Sequence, residues 1–528
     1  MKIALIAPPY PLDEAPSPPL GLCYAAAACE AAGAQVVILD YIVSRYTPEK
    51  LAAQLDQFEP DVIGTNAVTM NFRQAIQILQ DAKAHRPGVV TLMGGPHVSF
   101  DAHNTLMSYP ELDIIVIGEG EQTLQELIPV IDHPRHWHTV KGIAFRHNAT
   151  TTTTPHRPLI TDLDSLPLPA RHLLPMSRYL ALGFPVSIIT SRGCPNQCIF
   201  CLGRRMVGHK ARFRSPQRVV DEIETLIDYG HQLINVADDL FTANKKRVLA
   251  LCDEINRRGV RFIWSAFARV NTVDPEILAA MQSAGCHSIS FGIESGNAEM
   301  LKRVKKGITL EQARKAVAWA KAAGLRTHAS FMVGLPGETP ETLAETRGFG
   351  ESLGIEHGYH FLAPFPGTTI MENLDQYDLQ ILTDDWNLYD ANQAIVRTSR
   401  IDPEAMNRFV AEAYKEEQDK RDQAEARYLQ GTCTGEEYIT FEGYHRTKLT
   451  YAILSQDLIN ENQSFANTAD DTAAPLIEYI TAATQADPGL VDRTIRKFIA
   501  DGYLKSKTNG NAIQWYWTHN YLKDDRIP

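Results

Sequence analysis

The sequence predicts an α/β protein: a doubly wound parallel sheet, then a partial (β/α)6 barrel, then a mainly helical C-terminal region. Short apolar runs alternate with helix-like segments through residues 1–135 and again through 186–395, the pattern of repeated βα units. A proline-rich stretch separates the two series. Directly after the first strand of the second series comes the thiol run Cys194-Pro-Asn-Gln-Cys198-Ile-Phe-Cys201.

The first series begins at Ile3–Ala7, followed by an alanine-rich helix over Leu20–Ala32. Gln35–Leu39, Asp61–Thr65, Val89–Met93 and Asp113–Ile117 are the other strands. Thr47-Pro48-Glu49 opens a helix with a capping hydroxyl, a proline in the first turn and an early acid. Further helices are expected over Asn71–His85 and Glu121–Ile131. Ligands on such sheets lie beyond the carboxyl ends of the strands. Here those segments are Pro8–Gly21, Thr65–Asn71, Gly94-Gly95-Pro96-His97 and Gly118-Glu119-Gly120-Glu121. No G-x-G-x-x-G follows the first strand, so a nicotinamide or flavin dinucleotide is not indicated.

Residues 136–185 read as a linker with a hairpin at Gly142–His147 and Thr150–Thr154; its prolines forbid a regular helix through most of the segment. The barrel, residues 186–395, has strands at Val186–Thr190, Gln232–Ala237, Phe262–Phe267, His287–Gly292, Arg326–Val333 and Gly358–Ala363. Helix starts recur at Ser215-Pro216, Asp274-Pro275-Glu276, Thr309-Leu-Glu311 and Thr339-Pro340-Glu341. Residues 396–461 are a helical extension: Asp402 caps a charged helix to about Leu429, while 434–461 carry no clear pattern. Residues 462–528 begin with a polar linker, Asn462–Thr472, then read as helices followed by a small hairpin, a winged-helix-like order.

Composition sets further bounds. The 528 residues are enough for about three to four domains. With 44% hydrophobic and 22% charged residues, sizeable cores are expected. A net charge of −12 argues against nucleic acid as a partner. No apolar run is long enough for a membrane span, and Met1–Ala7 reads as a strand rather than a leader. Five of the eight cysteines (Cys23, Cys29, Cys252, Cys286 and Cys433) are scattered and read as small buried hydrophobes, not a disulfide framework. A reducing, cytoplasmic location is expected.

The three clustered thiols carry the chemistry. At this spacing they can hold three irons of a cubane cluster, with one iron left for a small molecule. A zinc knuckle would need a fourth N or S ligand, and neighbouring candidates are poor, His209 being the closest histidine. With the β/α series behind it, the C-x3-C-x2-C motif resembles the radical S-adenosylmethionine (radical SAM) superfamily. The resemblance implies a [4Fe-4S] cluster on Cys194, Cys198 and Cys201, with SAM chelating the open iron. It also implies Phe200 near adenine, Asp238 and Asp239 at the SAM amino group, Arg269 among the polar residues at the strand ends, Glu294 at ribose and Lys306 at the SAM carboxylate. Gly334, Gly337 and Glu338 match the adenine-side glycine motif. The basic run from Arg204 to Arg214 reads as a solvated face, with anion or corrin binding as the lesser alternative.

Residues 1–135 resemble the Rossmann-like cobalamin-binding domain that precedes many radical SAM cores. The matching stretches are Pro18-Pro19-Leu20-Gly21-Leu22, Pro60–Gly64, Gly94–His97 and Gly118–Glu121. The implied corrin contacts are Pro19, Leu20, Gly21, Thr65, Asn66, Val68, Thr69, Met70, Gly94, Gly95, Pro96, His97, Gly118, Glu119 and Gly120. One departure from the pattern matters. The D-x-H-x-x-G that supplies a histidine to cobalt is missing, because Pro8–Pro19 contains no histidine. Asp101-Ala-His103-Asn-Thr-Leu106 follows the wrong strand and reads as a helix start capped by Asp101. Cobalt is therefore expected to lack a histidine ligand from the protein; the resemblance further implies that the loop after the third strand, Thr65–Met70, faces cobalt, and His97 could contact the corrin or cap a turn.

The implied activity is a cobalamin-dependent radical SAM methyltransferase. A 5′-deoxyadenosyl radical takes a hydrogen from an unactivated carbon, and a SAM-derived methyl group arrives via methylcobalamin. The substrate would be a small molecule or peptide, and the electron donor a flavodoxin or ferredoxin type. An alternative is the anaerobic magnesium-protoporphyrin ester cyclase, which has a stretch similar to Arg214-Ser-Pro-Gln-Arg-Val-Val-Asp-Glu-Ile223. A cobalamin sensor whose C-terminal module binds nucleic acid is a third reading, opposed by the weak basic charge there.

Overall fold

The computed structural model describes residues 1–10, 16–147, 150–460, 463–466 and 471–518. The expected loop Pro8–Gly21, the turn of the hairpin and the stretch Asn462–Thr472 thus lie partly outside the described residues.

The first sheet has five parallel strands, β1 (Lys2–Ala7), β2 (Gln35–Asp40), β3 (Val62–Asn66), β4 (Val90–Gly94) and β5 (Ile114–Val116), in spatial order 2-1-3-4-5. The antiparallel strands β6 (Ile143–His147) and β7 (Thr150–Thr153) extend it beyond β5, so the hairpin expected in the linker is part of this sheet. Successive side chains alternate between two cores. Ile3, Leu5 and Leu92 face the core that holds α1 (Leu20–Ala31), while Ala4, Ile6 and Met93 face the opposite one. Burial on both faces is why these strands read as unbroken apolar runs. The helix α2 (Pro48–Phe58) starts where Thr47 Oγ1 accepts the Lys50 amide at 3.2 Å. Asp101 stands before the helix Ala102–Ser108 but does not cap it; its carboxylate instead accepts the Asn104 side-chain amide at 2.7 Å.

The second sheet has six parallel strands paired in chain order: Val186–Ile188, Leu233–Val236, Ile263–Ala268, Cys286–Glu294, Arg326–Val333 and Glu356–Phe361. One face packs on the intervening helices through Ile234, Trp264, Phe291 and Phe331. The opposite face carries the half-exposed Phe267 and Ile263. The helices begin where the sequence signals them. Ser215, Asp274, Thr309 and Thr339 each accept a backbone N–H from the first turn that follows.

The connector is tied to the barrel by a buried triad. Arg171 Nη1 lies 2.5 Å from Glu222 Oε1, and Arg214 pairs with the other carboxylate oxygen. Burial alone would raise the Glu222 pKa, but the two guanidinium groups hold it below the ordinary carboxylate value. The basic run is therefore only partly a solvated face: Arg214 is buried here, and Arg212 pairs with Glu119 on the first sheet.

After the barrel, Asp402 caps a helix over Pro403–Leu429. Residues 434–461, which showed no clear pattern, contain a second long helix, Gly435–Ser455. Helices Ala474–Thr484 and Pro488–Ala500 then pack with a three-stranded antiparallel sheet of Ser464–Ala466, Leu504–Asn509 and Ala512–Trp517. This module shares a core with Val43 and Tyr179. Tyr451 Oη also donates to the Tyr10 carbonyl at 3.0 Å, and Lys50 pairs with Asp457 at 2.6 Å. Among the described residues, no helix is long and apolar enough to cross a membrane.

Candidate functional site at the facing ends of the two sheets

The cysteine loop is pinned at both ends by backbone bonds. Asp238, at the end of the second barrel strand, accepts the Thr190 amide at 2.6 Å, the Thr190 hydroxyl at 2.5 Å and the Ser191 hydroxyl at 2.6 Å. Asp239 accepts the Gly193 amide at 2.9 Å. Burial raises the Asp239 pKa, and that amide opposes the shift. Gly193 has φ +99°, which lets the chain turn out of the short pairing of Ser191–Arg192 with Arg212–Phe213. Beyond it, the Cys194 amide donates to the Gly208 carbonyl at 3.1 Å and the Ile199 amide to the Val304 carbonyl at 3.2 Å. All three thiols are free; Cys194 and Cys198 are half-buried and Cys201 is exposed. Asn196 Nδ2 lies 3.2 Å from Cys194 Sγ, and Arg269 Nη1 lies 3.5 Å from Cys198 Sγ. Three free thiols on one anchored loop are a donor set whose chemistry fits an iron–sulfur cluster.

Several of the implied SAM residues gather beside this loop. The fourth barrel strand ends at Glu294, whose φ of +74° is uncommon for a residue with a side chain, at a register shift against the fifth strand. Its carboxylate meets Lys306 Nζ at 2.6 Å. The same ammonium lies 6.0 Å from the Phe200 ring centre, and Arg269 donates to the Lys306 carbonyl. Phe200, Arg269, Glu294 and Lys306 thus form one charged, aromatic corner next to Cys198.

Glu338 points elsewhere. Its Oε2 accepts the Gly334 amide at 2.6 Å and the Leu335 amide at 3.3 Å, closing the turn on itself. Its Oε1 is buried without a partner, and burial raises this carboxyl to about 8. Gly334 and Gly337 both have positive φ, at +91° and +70°, as the turn requires. Arg303 holds the Pro336 carbonyl at 3.0 Å and the Gly337 carbonyl at 2.9 Å.

Between the carboxyl edge of the first sheet and the cysteine-bearing strand lies a cavity of about 330 Å³. Gly21, Thr65, Asn66, Gly94, Gly95, Pro96, Gly118, Glu119 and Gly120 line it from one side, and Ser191, Arg192, Met206 and Asp239 from the other. Its inner wall is apolar, with Leu5, Leu92, Val116 and Leu124. At Gly118 a side-chain carbon would meet nothing, whereas at Gly95, with φ +104°, it would strike the Ala67 backbone. A flat, largely apolar group such as part of a corrinoid fits a glycine-walled slot of this kind. Pro19, Leu20, Val68, Thr69, Met70 and His97 do not line it. His97 is buried between Phe72 (ring centres 4.1 Å apart) and Trp386 (5.1 Å), with Nδ1 3.3 Å from Thr69 Oγ1. Burial lowers its pKa to about 4, so the ring is neutral.

Glu119 faces a different partner from the one the motif suggested. It accepts Arg192 at 3.1 Å, both Arg212 nitrogens at 2.9 Å and the Ile160 amide at 2.9 Å. Glu121 takes the other Arg192 nitrogen at 2.5 Å. Burial would raise the Glu119 pKa, but Arg212, the Ile160 amide and Arg192 together lower it. Arg192 was given no role from the sequence, and Arg212 was read only as part of the basic run. The available signal was the pairing of two charge-bearing motifs, Ser191-Arg192-Gly193 and Gly118–Glu121, each at a strand end.

Comparison with known proteins agrees with this arrangement. The family model of the Radical SAM superfamily matches residues 188–350, and that of the B12 binding domain matches residues 14–128. An uncharacterized methyltransferase of Pyrococcus horikoshii is 35% identical over 422 residues, covering 78% of this chain and 92% of the relative. The anaerobic magnesium-protoporphyrin IX monomethyl ester cyclase of Rubrivivax gelatinosus is 32% identical over 342 residues, covering 62% of this chain and 61% of the cyclase. Among solved structures, the cobalamin-dependent SAM radical enzyme OxsB with aqua-cobalamin and SAM has TM-score 0.68 and 18% identity, covering 95% of this chain and 80% of that one. TsrM of Kitasatospora setae with cobalamin and a [4Fe-4S] cluster has TM-score 0.64 and 22% identity, covering 73% and 81%. At these identities the likeness is one of fold.

Proposed function

The chain belongs to the cobalamin-dependent radical SAM enzymes, and we propose that it transfers a methyl group from SAM to an unactivated substrate carbon. Its cofactors are a [4Fe-4S] cluster, SAM and cobalamin, which between them supply reducing power, hydrogen-atom removal and methyl transfer. Cys194, Cys198 and Cys201 would hold the cluster. Phe200, Arg269, Glu294 and Lys306 would orient SAM, and Lys306, neutralised by Glu294, would meet a carboxylate by exchanging partners. Asp238 and Asp239 would fix the loop's backbone through Thr190, Ser191 and Gly193, which sets the direction of the thiols. The glycine edges Gly94-Gly95 and Gly118–Gly120 would take the corrinoid, while Arg192 and Arg212 hold that edge against the cysteine loop.

One observation carries the reading: a single cavity is walled by the glycine edge of the first sheet and by Ser191 and Asp239 of the barrel. Closely apposed cofactors shielded from water are what radical methyl transfer needs. The shared Arg214–Ile223 stretch does not favour the cyclase reading, because its two charged ends, Arg214 and Glu222, form a buried structural pair. Support for an external flavodoxin- or ferredoxin-type donor is the exposure of Cys201, the last of the three thiols. Support for the absence of a nucleic-acid role is that the C-terminal cations Arg493, Arg496 and Lys497 are paired with Glu442, Asp471 and Asp501.

The test is anaerobic. Protein reconstituted with iron, sulfide and cobalamin is mixed with SAM and a reductant, and Cys198→Ala serves as control. Cysteine-dependent 5′-deoxyadenosine together with S-adenosylhomocysteine is expected. 5′-Deoxyadenosine alone would move the assignment to the cyclase-like reaction, and neither product from fully loaded protein would refute both.

A further inference from the structure

Each thiol of the cysteine loop is met by an N–H group from a residue that is not itself a sulfur donor. Asn196 Nδ2 lies 3.2 Å from Cys194 Sγ, within the loop. Arg269 Nη1, from the end of the third barrel strand, lies 3.5 Å from Cys198 Sγ. The Gly203 backbone amide is turned to Cys201 Sγ. A side-chain carbon at Gly203 would come within 2.5 Å of Asp239 Oδ1, so a larger residue would push that amide away.

Arg269 is the charged donor of the three, and it is fixed at both ends. Its carbonyl accepts the Thr272 hydroxyl at 2.9 Å and the Thr272 amide at 3.1 Å. Thr272 Oγ1 also meets Thr242 Oγ1, at 2.6 Å. At the far end, Nη2 donates to the Lys306 carbonyl and Nε lies 3.4 Å from Asn271 Oδ1. The guanidinium is thus stretched between Cys198 and the Lys306 backbone. Among the described residues no carboxylate pairs with it, whereas Lys306 is neutralised by Glu294. Arg269 is also buried, so solvent screens its charge little. Asp239, beside Cys201, opposes it.

We infer that Arg269, acting through Cys198, raises the reduction potential of the cluster this loop holds, and that Asn196 and Gly203 add smaller increments in the same direction. Reduction adds one negative charge, shared among the sulfurs. N–H donors and a buried cation stabilise that charge, and hydrogen bonds to the sulfurs are among the determinants of such potentials. A charged donor outweighs a neutral one. Arg269 is a positioning residue for Lys306 as well, but that role leaves the potential of the SAM-free protein unchanged. The inference rests on the radical SAM reading for the presence of the cluster; its measurement needs no turnover.

Redox titration of the reconstituted full-length protein without SAM, followed by the EPR signal of the reduced cluster, tests it. Arg269→Leu is expected to hold iron as the wild type does and to shift the midpoint to more negative values. At a fixed potential its ratio of reduced to oxidised cluster should fall about ten-fold or more, which is about 59 mV for a one-electron couple. Arg269→Lys, which keeps the charge, should recover part of that shift. Asn196→Ala should lower the ratio about two-fold to five-fold. A wild-type midpoint in Arg269→Leu, or a shift to more positive values, would overturn the inference. If Arg269→Leu holds no cluster, Arg269→Lys decides: a midpoint below the wild type sustains the inference and an unchanged one overturns it. Loss of the cluster from both variants would also overturn it, in favour of a purely structural role. Failure of the radical SAM reading would appear separately, as absence of cysteine-dependent 5′-deoxyadenosine with the potential shifts intact.

Discussion

The two parallel sheets present their ligand surfaces in different ways. The first is buried on both faces, one core against α1 and the other on the opposite side, so only its carboxyl edge can meet a ligand. The barrel sheet buries one face on its helices and leaves the other with half-exposed Phe267 and Ile263. An edge built of glycines suits a large rigid group that is held and not altered. A concave face suits a molecule that must enter, react and leave. The ion pairs follow the same division. Those joining the sheets are buried, whereas the Arg496 pairs of the C-terminal module with Asp471 and Asp492 are exposed.

The joint between the sheets is where the largest stability effect is expected. Arg192→Ala leaves Glu121 without its cation and strips one of two from Glu119, both buried, which should cost about 3–5 kcal/mol in denaturant unfolding. A wild-type-like midpoint would show that the edge and the loop are held together by other means. Gly95→Ala is smaller: a strained φ and a clash with Ala67 should cost about 1–3 kcal/mol and lower cobalamin retention.

Glu338 gives a pH signature confined to the barrel. Its folded pKa is about 8, above the ordinary 4.5, so the stability gained from its protonated form is complete below 4.5. That stability is lost as pH rises towards and through 8. Unfolding midpoints should fall over that window, and Glu338→Gln should flatten the fall; a variant that keeps the wild-type slope would place the titrating group elsewhere. The smallest effect is expected in the C-terminal module, where Arg496→Ala, which removes an exposed pair, should change stability by no more than about 1 kcal/mol.

Much of this architecture was readable because local chemistry and tertiary role agree. Thr47, Ser215, Asp274, Thr309, Thr339 and Asp402 all cap the helices they precede. The helix Gly435–Ser455 escaped attention because its buried residues are concentrated in its second half, which blurs the periodicity. Its Thr434-x-x-Glu437 capping box was a usable signal. Arg212 and Arg214 misled for a different reason: a basic run looks solvated until the fold brings Glu119, 93 residues away, and Glu222 against it. Asp101 sits at a helix start, but its side chain has a closer partner in Asn104. Sequence spacing also gave no hint that His97 would be enclosed by Trp386, which follows the last barrel strand.

If two separate surfaces, an edge and a loop, hold two separate groups against one chamber, each group should be lost without the other. Bound iron and bound cobalamin, measured on the same reconstituted preparations of Cys198→Ala and Gly95→Ala, test it most directly. Reciprocal losses are expected: Cys198→Ala loses iron and keeps cobalamin, and Gly95→Ala keeps iron and loses cobalamin. Cobalamin lost with the cysteine, or kept at wild-type level in Gly95→Ala, would contradict it.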